Sequence, residues 1–195
     1  MKLVIISGSH RKGSESLRVA EYLSSRVQSL ELAESTVLDL YAQPISFDPD
    51  VIWSGQDENF NNHEKVLAEA DAVVVVSPEW GGVASPMLKN YLIFSKALYH
   101  KPGLAVGVSS SRGGAYPIAE LRNANKNNHI VWVPEHVIFR NVESLLIASE
   151  PEDKDDSYIR DRSDYALRVL AQYATAIKQV RESDVLDRET YPNEM

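Results

Sequence analysis

The segment Asp71-Ala72-Val73-Val74-Val75-Val76-Ser77 carries four consecutive valines and no polar alternation. A strand wetted on one face would alternate, so this run is expected in the middle of a parallel sheet, covered on both sides. Lys2-Leu3-Val4-Ile5-Ile6-Ser7 is a second β-branched run and breaks at Gly8-Ser9. Between these two strands, Leu17, Ala20, Leu23, Val27 and Leu30 recur at helical spacing over 14–30, with Ser14 or Ser16 as N-cap. Residues 35–40 read as a strand, 41–60 as an irregular connection with Pro44, Pro49 and Gly55, and about 61–69 as a short helix.

Beyond the valine run, 78–84 reads as a loop. Ser85-Pro86 then opens a helix with a serine cap and a proline at the first helical position, running through Leu98. Leu104 to Val108 is a fourth strand, and Ser109 to Gly114 a polar turn before a helix at about 115–127. Residues 130–133 form a fifth strand, with 137–139 a possible extension past Pro134. A last helix over about 157–182 is capped by Asp155 or Asp156, and the tail from Ser183 is frayed. Strands alternating with helices imply one doubly wound α/β domain over 1–195, with helices on both faces of a five-stranded parallel sheet.

Composition narrows the function. The chain has no cysteine, which excludes disulfides, thiolate catalysis and Cys-bound metals. A net charge of −8 argues against nucleic acid as a partner. No apolar run reaches bilayer length and no basic leader precedes one, so a cytoplasmic chain that does not enter a membrane is expected. Histidines 10, 63, 100, 129 and 136 lack metal-ligand spacing, no Gly-x-Ser-x-Gly elbow occurs, and neither a metal site nor a catalytic side chain is assigned.

In an open α/β sheet, ligands bind beyond the carboxyl ends of the strands. Three loops there are unusual. Ser7 to Ser16 combines Gly8 and Gly13, the hydroxyls of Ser9, Ser14 and Ser16, and a basic His10-Arg11-Lys12 segment followed by Arg18. Ahead of a helix N-terminus these groups suit a phosphate; the alternative is an ordinary turn with a solvated basic surface. Ser14-Glu15 stands where a nucleoside-triphosphate loop needs Lys-Ser/Thr, and no Gly-x-Gly-x-x-Gly occurs, so a monophosphate fits better. Pro78-Glu79-Trp80-Gly81-Gly82 offers backbone approach to a planar ring edge and an aromatic flank, or else a plain turn with Trp80 in a core or a subunit contact. Ser109 to Gly114 suits a ring edge or a second phosphate, or is a flexible turn.

At these loops the chain resembles the NADPH-dependent FMN reductase family. Gly8-Ser9-His10-Arg11-Lys12-Gly13-Ser14 matches that family's Gly-Ser-x-Arg-x-x-Ser. Ser77-Pro78-Glu79-Trp80-Gly81 and Pro86-Met87-Leu88-Lys89-Asn90 correspond to its Ser-Pro-Glu-Tyr-Asn and Pro-x-x-Leu-Lys-Asn. The resemblance covers about residues 2–127 and implies a flavodoxin-like sheet of order 2-1-3-4-5. It also implies FMN as cofactor, NADPH or NADH as co-substrate, and hydride transfer through the flavin to a flavin, quinone or similar small acceptor. It places Ser9, Arg11, Ser14 and Ser16 on the phosphate, Pro78, Glu79, Trp80, Gly81 and Gly82 along the isoalloxazine ring, and Ser109, Gly113 and Gly114 at its other side. A homodimer or homotetramer is the expected assembly. Trp80 stands for the family's usual Tyr and Gly81 for its usual Asn. The alternatives are a flavodoxin-type electron carrier without NAD(P)H turnover, and a binding or regulatory protein of the same fold without flavin.

Overall fold

The computed structural model describes residues 1–123, 129–187 and 190–191. Its long strands are β1 (Lys2–Ser7), β2 (Glu34–Asp39), β3 (Ala72–Trp80), β5 (Pro102–Val108) and β6 (Val131–Phe139), all parallel in the order β2-β1-β3-β5-β6. A two-residue β4 (Val83–Ala84) pairs antiparallel with the end of β3. Counting the long strands alone, the order is the expected 2-1-3-4-5, and the fold is flavodoxin-like.

The valine run lies where its composition requires. Val74 and Val76 join Leu3, Ile5, Leu104 and Val106 in one apolar layer, under Val19, Ala20, Leu23 and Val27 of α1 (Glu15–Ser29) and Ile159, Ala166, Leu167 and Leu170 of α6 (Lys154–Arg181). Val73 and Val75 face the other way with Val4, Ile6 and Ala105. They lie under α3 (Glu58–Ala68), α4 (Pro86–Phe94) and α5 (Ala115–Asn123), through Leu67, Leu88, Tyr91 and Leu121. Each strand residue therefore loses its water to one helical layer or the other, and alternation has no driving force.

Several boundaries differ from the sequence reading. Segment 78–84 is a hairpin rather than a loop: β3 continues through Pro78-Glu79-Trp80 and folds back at Gly81 and Gly82, with φ of 58° and 83°. Two successive positive φ values make the tight two-residue turn that glycine pairs favour. The 41–60 connection contains a five-residue helix, α2 (Pro49–Trp53), capped by Asp48. The α4 helix stops at Phe94 instead of Leu98 because the Glu64 carboxylate takes the N–H groups of Lys96 and Ala97, both at 2.9 Å, drawing the chain out of the helical path. Asp153 caps α6 in place of Asp155 or Asp156; Asp156 is buried, accepts the Leu146 N–H at 3.1 Å and pairs with Arg160 at 3.0 Å. The fifth long strand does run past Pro134, with a register shift opposite Gly103 and Ala105. The expected continuation of α5 to 127 and part of the expected frayed tail lie outside the described residues.

Candidate functional site

Between β1 and β3 the strand order turns from β2 on one side to β5 and β6 on the other, and the loops leaving these strands meet at their carboxyl ends. The first loop leaves β1 at Gly8, whose N–H donates to Val76 O at 2.8 Å. A Cβ on Gly8 would sit 2.6 Å from Leu88 Cδ2 and 2.8 Å from Val76 O, so only glycine passes there. Ser85, the N-cap of α4, donates its hydroxyl to Gly8 O. Ser14 caps α1, accepting the Leu17 N–H at 3.2 Å, and Ser9 Oγ accepts the Arg11 N–H at 3.3 Å.

The loops are joined in a ring of contacts. His10 on the first loop packs on Trp80 of the hairpin, ring centroids 4.4 Å apart. Glu79 accepts the N–H of Gly114 in the third loop. The third loop meets the chain after β6, with Asn141 N–H donating to Ser111 O at 2.8 Å and Val142 N–H to Ser109 O at 3.1 Å. Arg18 of α1 closes the circuit, donating to Val142 O at 2.6 Å and Leu145 O at 2.7 Å while pairing with Glu15.

Inside the ring lies a cleft of about 170 Å³ lined in part by Ser9, Arg11, Ser14, Ser16, Pro78, Glu79 and Trp80. Seven of the residues singled out on sequence are thus brought together. Gly81 and Gly82 form the turn at the hairpin tip, where an added Cβ would meet nothing within 4 Å. Ser109, Gly113 and Gly114 shape the third loop without lining the cleft. Arg18, part of the basic segment on sequence, is taken up by Glu15 and backbone carbonyls.

Sequence reasoning missed five lining residues: Glu15, Val108, Ser110, Val142 and Glu143. Ser110 lay within a loop already suspected. Val142 and Glu143 reach the cleft through a single 3-10 turn (Val142–Ser144) entered at a left-handed Asn141 with φ of 46°; that asparagine was the sole local signal.

The donor set fits a phosphate monoester. Ser9, Ser14 and Ser16 are buried and line the cleft, and the N–H groups of Glu15 and Ser16, at the first turn of α1, are of the kind a helix start leaves without intrahelical partners. Among the described residues the Arg11 guanidinium forms no hydrogen bond or ion pair, leaving its donors for an anion. Glu15, the acid nearest this helix start, has its charge offset by Arg18. Among the described residues no group of three or more His, Asp or Glu could hold a metal ion, and no helix is long and apolar enough to cross a membrane.

Such a cradle at the switch point of a flavodoxin-like sheet marks a ligand-binding protein of the doubly wound α/β class. The sequence profile of the NADPH-dependent FMN reductases matches residues 1–144, and the chain belongs to that family; it is an enzyme that uses FMN with NAD(P)H. No curated protein matches the chain by sequence. Among solved structures it is similar to an oxidoreductase from Corynebacterium diphtheriae, with TM-score 0.69 and 20% identity, covering 93% of this chain and 98% of that one. FerB, a flavoenzyme NAD(P)H:(acceptor) oxidoreductase from Paracoccus denitrificans, aligns with TM-score 0.67 and 18% identity, covering 91% of this chain and 97% of the other. An NADH:FMN oxidoreductase aligns with TM-score 0.65 and 16% identity, covering 90% and 89%.

Proposed function

We propose that this chain reduces a flavin, quinone or similar small planar acceptor at the expense of NADPH or NADH, with FMN seated in the cleft between the first loop and the hairpin. The observation carrying this reading is the convergence of Ser9, Arg11, Ser14 and Ser16 with Pro78, Glu79 and Trp80 on one cleft. FMN, when bound, supplies the two-electron chemistry between nicotinamide and acceptor. The side chains need supply no nucleophile: Arg11 and the serines hold the phosphate, the segment Pro78 to Gly82 borders the ring, and Ser109, Gly113 and Gly114 shape its other side. Their contribution is orientation and exclusion of water.

The same reading takes residues 1–195 as one domain, cytoplasmic, with no nucleic acid or membrane partner. It also takes the chain as a homodimer or homotetramer. Trp53 is 73% exposed and meets Phe94 edge-on, beside an exposed Ile93, an apolar surface that supports self-association.

The test is anaerobic mixing of FMN-loaded protein with NADPH and, separately, NADH, followed by a survey of acceptors. Bleaching of the flavin within seconds and its reoxidation by quinones are expected. A flavin that stays oxidised would make the protein an electron carrier, and failure to bind FMN would make it a flavin-less binding protein.

A further inference from the structure

Two carboxylates grip the β3–β4 hairpin. Glu120 on α5 accepts the Ala84 N–H at 2.5 Å and Lys89 Nζ at 3.0 Å. Glu79, within the hairpin, accepts the Gly114 N–H and lies so close over Gly113 that a Cβ there would meet its Oε1 at 2.6 Å. Successive residues of a strand point to opposite faces. Glu79 therefore reaches the third loop while its neighbour Trp80 turns toward the first, where its ring lies 4.4 Å from that of His10 with the planes inclined at 50°.

The His10 ring is held by that contact. Among the described residues its buried Nδ1 has no hydrogen-bond partner, so no polar bond at that nitrogen fixes the imidazole. Leaving a buried nitrogen unpaired is costly, and packing on Trp80 must offset the cost. If the hairpin tip moved, Nδ1 would hydrate and the ring pair would come apart. Trp80 is nonetheless 38% exposed, which leaves part of its indole available to a ligand at the cleft it lines.

We infer that Glu79 is a positioning residue: by fastening the hairpin to Gly114 it holds Trp80 against His10, and this ring pair is the wall on which a planar acceptor stacks. The inference rests on the cleft being the site of FMN and acceptor, as proposed above. A fixed aromatic wall favours flat, conjugated acceptors over compact ones and acts on acceptor binding more than on turnover.

The experiment compares E79A, E79Q, H10A and W80F. In apo protein, the Trp80 indole N–H resonance, assigned by its loss in W80F, shifts in E79A and H10A and returns to the wild-type position in E79Q, which keeps an acceptor for Gly114. In FMN-loaded protein, E79A and H10A raise KM for a planar quinone about fivefold, the loss expected for one hydrogen bond's net worth. In H10A kcat stays within about twofold and KM for hexacyanoferrate, which does not stack, is unchanged, while E79Q restores KM for the quinone. An unmoved Trp80 resonance in E79A, or a KM rise shared by hexacyanoferrate, would overturn the inference. Should E79A fail to fold, E79D, too short to reach Gly114, replaces it. If wild-type protein binds no FMN, the proposed function fails while the indole resonance still decides the role of Glu79.

Discussion

Gly107 and Gly114 lie back to back: a Cβ built on Gly107 would press into the carbonyl oxygen of Gly114, well inside van der Waals contact. Gly107 sits in β5 between Ser77 of β3 and Ile138 of β6, so the third loop is folded back onto the carboxyl end of β5. Gly114 in turn has φ of 95°, with Ile138 Cγ2 2.5 Å from the place its Cβ would take. Both glycines are dictated by space, and the second by backbone conformation as well.

Gly107→Ala is therefore expected to push the third loop off the sheet, since the obstacle is backbone and cannot rotate away. A cost of about 1–3 kcal/mol in urea unfolding is expected, as for overpacked cores, together with weaker FMN binding. Wild-type stability and affinity in this variant would contradict the close approach.

Arg11→Ala is expected to weaken FMN binding by about tenfold to a hundredfold, corresponding to loss of a charge-assisted hydrogen bond to the phosphate. The apo protein should melt as wild type does, because among the described residues the exposed guanidinium has no hydrogen bond or ion pair. Calorimetric titration with FMN measures the first effect and thermal unfolding the second; unchanged affinity would remove Arg11 from the phosphate site.

Gly81→Asn restores the residue usual in the family. At φ of 58°, with no atom within 4 Å of an added Cβ, asparagine fits the turn. It should cost less than Gly81→Ala, for which about 1–2 kcal/mol is expected. We expect the asparagine variant to bind FMN more tightly than wild type, measured by the same titration; a fold disrupted by asparagine would refute the turn geometry.

His63 gives the fold an acid limit. The ring is buried on α3 against Tyr91, its Nε2 is 3.0 Å from Gln43 Oε1, and its Nδ1 has no hydrogen-bond partner among the described residues. Burial holds its pKa below the ordinary value near 6.5, with Asp57 opposing more weakly. The folded state therefore prefers neutral His63. The stability contributed is complete above about pH 6.5, where the unfolded chain's imidazole is also neutral, and is lost as pH falls toward the lower folded value. His63→Gln should flatten the stability profile between about pH 7.5 and 5 in urea unfolding; an unchanged profile would show that the ring does not titrate with folding.

The sheet was legible in sequence because burial on both faces leaves an unmistakable mark, as in Val73 to Val76. The Ser85-Pro86 helix start and the Ser14 cap were legible for a related reason: one or two residues carry the whole local signal. The hairpin was missed although Gly81-Gly82 is the turn signal itself, since strand character after Ser77 is interrupted by Pro78 and Glu79. The end of α4 depends on Glu64, some thirty residues away, and Val142 reaches the cleft through bonds to Ser109 and Arg18. Such boundaries are tertiary facts that no local pattern encodes.

The profile that identifies the family ends at residue 144, yet the sheet does not end its need for cover there. Ile159, Ala166, Leu167, Leu170 and Ala174 of α6 pack in the layer holding Leu104, Val106, Val133 and Val137, and Arg181 donates to Asp71 O at 2.7 Å, beside the start of β3. The matched segment and the folding unit thus have different lengths. A fragment trimmed to the recognisable portion would keep every residue of the phosphate cradle while exposing a bare greasy flank. It would be expected to precipitate before it could be assayed.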